Sequence, residues 1–250
     1  MGERGRQPRS WDELAPWWKA TFTNGADVEY AQQILPLVAE LLPAERRVLD
    51  IGTGEGQLAR YLAAAVETRA VVGIDPSRAQ VRNAVAEAGG PHYAIAAGEA
   101  LPFPDGCFDA VVCCLVIEHA SDGDAVLAEA ARVLAPGGSF LLLVNHPVVQ
   151  GPGSGFVDDR ILGERYWRIG PYLIESVAAE EVDPGVEVSF AHRPLSRYVN
   201  PLCEAGLVLT RLEEPAPPID FLTDSADLDL ERAMPRLCAM RFRRPSAGQE

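Results

Sequence analysis

The chain is short of positive charge, of paired cysteines and of long apolar runs, and each shortage removes a class of function. Its 22 lysines and arginines are outnumbered by 36 aspartates and glutamates, which gives a formal net charge of −14. A surface of that sign repels a polyphosphate backbone, whose recognition relies on clustered Lys and Arg displacing counterions. Nucleic acid is therefore not an expected partner. The main basic cluster, Arg241, Arg243 and Arg244, alternates with Phe242 and reads as the solvated face of a strand. Cys107, Cys113, Cys114, Cys203 and Cys238 are odd in number and lack CxxC spacing, so they suggest neither a zinc cage nor a disulfide framework. A cytoplasmic, reducing compartment is expected. No apolar stretch approaches the roughly 18 residues of a membrane helix, and the polar start over residues 1–10 lacks the hydrophobic segment of an export signal. No membrane partner is expected.

What is present is the balance of an ordinary globular protein. Hydrophobic residues make up 48% and charged residues 23% of the 250, enough for one main core with a modest insertion. Breaks containing Gly and Pro separate short apolar runs from helical patterns, the signature of βαβ units and of a mainly parallel sheet. Strands are predicted over residues 47–51, 70–74, 93–97, 108–116, 139–144, 207–212 and 237–242, and helices over 57–65, 78–88, 122–134 and 195–205. An α/β fold with a seven-stranded sheet follows. Its core domain comprises residues 27–150 and 194–250. Residues 151–193, Gly- and Pro-rich at their start and without a clear core period, form an insertion read as a substrate lid. Phe156, Tyr166, Trp167, Tyr172 and Tyr198 suit either enclosure of a ring-bearing ligand or a satellite core or dimer contact. Residues 1–26 carry Trp11, Trp17 and Trp18 outside the βαβ pattern. They read as an N-terminal lid over the open end of the sheet, or simply as a cover for apolar surface.

The segment Val48-Leu49-Asp50-Ile51-Gly52-Thr53-Gly54-Glu55-Gly56 runs from a hydrophobic strand through a glycine turn into a helix. Such a turn lets a nucleotide-like ligand approach the backbone and the helix start. A dinucleotide fingerprint requires G-x-G-x-x-G, and here the third glycine arrives one residue early, at Gly56. Asp50, ending the first strand, would oppose a pyrophosphate but suits an ammonium group. Asp75, ending the second strand, is placed to accept hydrogen bonds from both hydroxyls of a ribose. Its plainer reading is a cap for the following helix.

Together, residues 48–56, Gly73-Ile74-Asp75, Glu99-Ala100-Leu101-Pro102-Phe103-Pro104-Asp105, Phe108-Asp109 and Arg132-Val133-Leu134-Ala135-Pro136-Gly137-Gly138 resemble class I S-adenosylmethionine-dependent methyltransferases. The similarity is nearest to the branch of quinone-biosynthesis and natural-product methyltransferases. It covers roughly residues 27–145 and the terminal strands, leaving 151–193 outside. The resemblance implies a Rossmann-like fold with an antiparallel last strand, S-adenosylmethionine as cofactor, and O-, N- or C-methylation of a small molecule. It also implies that Gly52, Thr53, Gly54 and Gly56 line the methionine part, that Asp75 holds the ribose, that Gly98 with Glu99 borders the adenine and that Leu115 lies beneath the cofactor; Asp50, Pro76 and Ala97 are expected to complete the cofactor-binding set. Ala97 stands where relatives carry an aspartate facing the adenine amino group, so Glu99 or a backbone carbonyl has to take that contact.

Methyl transfer needs alignment more than a protein nucleophile, because a sulfonium already makes its leaving group neutral. A hydroxyl acceptor also benefits from a general base, and histidine is the usual one. His146 follows the fifth strand at the C-terminal edge, where ligands of open α/β sheets collect. It is the first choice, with a backbone-bonded loop histidine as the competing reading. His119, in Ile117-Glu118-His119 after the fourth strand, is the second. His192 could reach inward from the insertion, and His92 lies at the wrong edge. No carboxylate–histidine cluster suggests a metal. Two alternatives stand beside this reading: a non-catalytic S-adenosylmethionine-binding module, and a nicotinamide-dependent oxidoreductase, which leaves the early Gly56 and the Leu101–Asp105 run unexplained. The expected partners are a small-molecule substrate and a second copy in a homodimer.

Overall fold

The computed structural model describes residues 9–23, 27–43, 45–66, 69–222 and 227–246. Residues 1–8 and 24–26 of the predicted N-terminal segment, and residues 247–250 of the core range, lie outside the described residues. Helix α1 (Trp11–Phe22) opens on a capping box in which the Ser10 and Glu13 side chains each bond the other's backbone N–H. A π-helical turn at Tyr30–Ile34, which the hydrophobic pattern did not signal, leads into α2 (Leu35–Leu41). The predicted alternation follows: β1 (Arg47–Ile51), α3 (Gln57–Ala65), β2 (Ala70–Asp75), α4 (Arg78–Glu87), β3 (His92–Ile95), β4 (Phe108–Cys114), α5 (Gly123–Val133) and β5 (Leu134–Asn145). After a short α6 (Pro147–Gln150) come two hairpins, β6 (Gly155–Asp159) with β7 (Glu164–Arg168), and β8 (Ser176–Asp183) with β9 (Val186–His192). The chain returns to the sheet through α7 (Ser196–Glu204), β10 (Val208–Glu213), α8 (Leu228–Arg232) and β11 (Leu237–Arg243).

The seven-stranded sheet has the order β10-β11-β5-β4-β1-β2-β3. β11 runs antiparallel to both of its neighbours, and the remaining adjacent pairs are parallel. This is the expected Rossmann-like sheet with its antiparallel last strand. Successive side chains point to opposite faces, so each central strand feeds two cores. On β5, Phe140, Leu142 and Val144 join the core that holds Val126 and Leu127 of α5 and Tyr198 and Leu202 of α7. Leu141 and Leu143 join the other, with Val38 of α2 and Leu58 and Leu62 of α3.

Three expectations are corrected in detail. β4 stops at Cys114 instead of residue 116 because Leu115 turns into the left-handed region, at φ 55°. The insertion, expected to be without period, is two hairpins. Its pattern is hidden because β8 leaves Val177 73% exposed while Glu180 turns inward to accept a bond from Gln150. The basic cluster is only partly a solvated face: Arg244 donates to the carbonyls of Ala131 and Leu134 at the end of α5, and Arg241 reaches Ser139 and Glu45. Among the described residues no helix is long and apolar enough to cross a membrane, and all five cysteines are free.

Candidate functional site

The strand order reverses at β1, with β2 on one side and β4 on the other, so connections leave their C-terminal ends in opposite directions and open a crevice. A cleft of about 370 Å³ lies there. Gly52, Gly54 and Gly56 all have positive φ, at 69°, 55° and 83°, which folds the loop between β1 and α3 tightly over the strand ends. The loop is tied down at three points. Thr53 N–H donates to Ile74 O at 2.8 Å, the Thr53 hydroxyl to Asp50 Oδ2 at 2.7 Å, and Gly54 N–H to Asp75 Oδ2 at 3.0 Å. Gly56 starts α3 beneath Tyr93, whose phenol occupies the space a Cβ would need. The early third glycine is thus a helix start packed under a ring.

Asp75 lines the cleft and also caps the helix that follows, the plainer of the two roles weighed for it. Its Oδ1 accepts Ser77 N–H at 2.8 Å at the start of α4, and its Oδ2 accepts Gly54 N–H. A carboxylate oxygen has two acceptor sites, so each oxygen keeps one for a ligand. Burial raises its pKa. Asp50, bonded to Thr53, sits below the loop and does not line the cleft; burial pushes it up to about 7.

The structure brings Gly52, Thr53, Gly54, Asp75, Pro76, Ala97, Gly98, Glu99, Leu115 and His119 to this one cleft. Gly98 is a close approach: a Cβ there would stand 2.9 Å from Ile51 Cγ2. Glu99 Oε1 accepts the backbone N–H and the hydroxyl of Ser121. The Leu101–Asp105 run is gripped from below by Arg132, which donates to the carbonyls of Phe103 (2.8 Å) and Leu101 (3.1 Å) and to Asp105 (2.7 Å). Glu129, paired with Arg132, accepts Leu101 N–H at 2.7 Å. Two distant sequence motifs are therefore one clamp.

His146 is not brought to the cleft. It is buried with both ring nitrogens occupied, Nδ1 accepting Val148 N–H at 3.1 Å and Nε2 bonded to Glu214 at 2.7 Å. The competing reading, a backbone-bonded loop histidine, describes its position. His192 donates to Tyr172 O and also lies outside the cleft, and His92 is exposed at the start of β3. Gly56, like Asp50, supports the loop from outside the lining. None of the five aromatics expected to enclose a ligand, Phe156, Tyr166, Trp167, Tyr172 and Tyr198, lines the cleft: Phe156 and Trp167 pack edge to face, and Tyr198 is in the main core.

The aromatic wall comes instead from Trp11, Trp18 and Phe22 of α1, with Tyr30. The tryptophan-rich start signalled it; Tyr30, Glu55 and Gln80 gave no sequence signal. Asp12 Oδ1 docks α1 on the start of α4, accepting from the Ser77 hydroxyl at 2.7 Å and Ala79 N–H at 2.8 Å. On its other side α1 packs against the second hairpin. Leu14 joins Val186, Val188, Trp11, Trp17 and Phe190 in an apolar cluster, and Trp17 Nε1 donates to Asp183 at 2.9 Å. His119 sits at this junction, its ring 5.1 Å from that of Trp11 and 4.7 Å from that of Phe190, with Nδ1 2.8 Å from Ser189 O. A carbonyl only accepts, so in the neutral ring Nδ1 carries the hydrogen and Nε2 keeps its lone pair.

This lining fits an adenosyl ligand with an amino-acid tail better than a phosphate-bearing one. Among the described residues no Lys or Arg lines the cleft, and Glu55 Oε1 and Gln80 Oε1, on lining residues, are buried acceptors without a partner. Ribose hydroxyls, an ammonium and an adenine amino group are donors of the required kind. Among the described residues no group of three His, Cys, Asp or Glu is placed to hold a metal.

Comparison with known proteins points the same way. The family described as "Methyltransferase domain" matches residues 49–142. The chain is 37% identical to the demethylmenaquinone methyltransferase of Thermus thermophilus over 146 residues, 56% of this chain and 66% of that protein, just under two thirds of its length. It is 32% identical over 182 residues to the ubiquinone/menaquinone biosynthesis C-methyltransferase of Methylobacterium nodulans, covering 69% of this chain and 68% of that one. The crystal structure of an S-adenosylmethionine-dependent methyltransferase from Mesorhizobium loti is similar with a TM-score of 0.71 at 25% identity, over 87% of this chain and 98% of that one.

Proposed function

The chain belongs to the class I S-adenosylmethionine-dependent methyltransferases, and from that membership we propose that it methylates a small, ring-bearing, largely apolar acceptor held beneath α1. The observation that carries this reading is one cleft with a ribose-type carboxylate, Asp75, in its floor and indole rings, Trp11 and Trp18, in its cover. The cofactor supplies an electrophilic methyl group on a sulfonium whose departure leaves a neutral thioether. The chain's own part is to bind, align and keep out water. Asp75 takes the ribose hydroxyls, the Gly52–Gly54 backbone receives the amino-acid end, and Ala97 to Glu99 border the base. Two relatives are named for quinone-biosynthesis methylation, which supports a phenol- or hydroquinone-like acceptor lying against the α1 aromatics.

On this reading His119 takes the acceptor's proton through Nε2, its ring held by Ser189 O and by the Trp11 and Phe190 rings. The cover is α1 together with the β8–β9 hairpin, which act as one unit since their apolar side chains share a cluster. The free cysteines fit a reducing cytoplasm, and the net charge of −14 argues against nucleic acid as acceptor.

The test is incubation with S-adenosylmethionine and a panel of phenols, hydroquinones, indoles and amines, followed by mass spectrometry. Gain of one methyl group by a ring-bearing acceptor, with demethylated cofactor formed in equal amount, is expected. Cofactor binding with no methylated product across the panel would leave a binding module, not an enzyme.

A further inference from the structure

The β6–β7 hairpin does not line the cleft, and among the described residues one of its faces is left uncovered, its one tie to the rest of the chain being the bond from Arg168 Nε to Gly153 O at 3.0 Å. It forms a two-stranded sheet of its own, an arrangement that is marginal in water unless something covers it. One face is anchored: the Phe156 and Trp167 rings lie 4.8 Å apart, Arg165 stacks on Phe156 and reaches Glu231, and Trp167 Nε1 donates to Val148 O. The opposite face presents Glu164, Tyr166 and Arg168, all exposed. Beside it, Ile161 is 95% exposed, Leu162 67% and Ile169 54%. Among the described residues, exposed large apolar side chains concentrate in this stretch and the residues just after it.

The order of residues on that face reads the same from a two-fold axis. If two β7 strands run antiparallel with Tyr166 opposite Tyr166, then Glu164 of each faces Arg168 of the other. The same register sets Gly163 opposite Ile169 and brings the apolar turn at Ile161 and Leu162 alongside the apolar end of the second strand. We propose that the free face and edge of β7 are the centre of a two-fold interface with a second copy of this chain, paired about Tyr166 by two Glu164–Arg168 ion pairs and closed by Ile161, Leu162 and Ile169. An isologous contact requires this self-complementarity, whereas an unrelated partner does not. The inference does not depend on the methyl-transfer reading, because no residue of this face lines the cleft.

A charge swap tests it. Sedimentation equilibrium is run on the full chain as wild type, Glu164→Arg, Arg168→Glu and the double variant Glu164→Arg/Arg168→Glu, with S-adenosylmethionine affinity as the folding control. The wild type should be a dimer. Either single variant sets like charges opposite each other twice and should weaken the dimer about tenfold or more. The double variant restores both pairs with signs reversed and should return to near the wild-type constant. A monomeric wild type, single variants that dimerise as well as wild type, or a double variant no better than the singles would each overturn the proposal.

Discussion

Asp50 beneath the glycine loop and His119 in the cleft each give a measurable consequence at the scale of the single residue. Asp50 is buried beneath the glycine loop, and its pKa is raised from 3.8 to about 7. The folded chain therefore holds this proton more tightly than the unfolded chain, so its contribution to stability is full below pH 3.8, declines as pH rises and is lost above about 7. Asp50→Asn cannot ionise and keeps the acceptor for Thr53. Its stability relative to wild type, from denaturant midpoints, should rise through that window and level off above it. A difference that stays constant with pH would show that Asp50 does not titrate there. His119→Gln should lower kcat about 10²-fold or more with little change in acceptor KM, whereas His146→Gln should leave kcat unchanged. The reverse order would return the base to His146. The positions of the glycine loop and of Asp75 at the strand ends were legible in the sequence because they depend on local order, whereas Asp50, expected at the cofactor, lies beneath the loop and outside the lining. The occupancy of His146 was not legible, because its partner Glu214 is 68 residues away.

Elements, not single residues, explain why the Leu101–Asp105 run and the Arg132–Gly138 run occur together. Arg132 on α5 bonds the carbonyls of Leu101 and Phe103, and Glu129 bonds Leu101 N–H, so the helix fixes the loop that begins two residues after Glu99. Arg132→Leu should cost about 2 kcal/mol, since hydrogen bonds from a charged donor are worth more than neutral ones. It should also weaken cofactor binding through the displaced Ala97–Glu99 segment. Unchanged stability in denaturant titration would mean that the clamp is decorative. Most sheet elements were readable to within a residue or two, because apolar period and Gly–Pro breaks are local signals. The two hairpins were not. In β8 an apolar residue faces water and a glutamate faces inward, so alternation and burial are out of phase.

At the scale of the whole molecule, the sheet with its crevice at the strand-order reversal, which was legible, carries a cover that was only half legible. The sequence marked residues 1–26 and 151–193 as separate lids, but nothing in it showed that Leu14 and Trp17 of α1 meet Val186, Val188 and Phe190 of the second hairpin. That contact joins segments far apart in the chain and sets His119 between them. On the proposed reading the acceptor lies against this junction and not against the glycine loop, which is why the cofactor was easier to infer than the substrate. The most direct test of the central claim is calorimetric titration of the wild type and Asp75→Ala with S-adenosylmethionine, its demethylated product and NAD. Saturable binding of the two adenosyl ligands alone, weakened by about 1–3 kcal/mol in Asp75→Ala, is predicted. Binding of NAD with silence toward both adenosyl ligands, or full affinity in a folded Asp75→Ala chain, would contradict it.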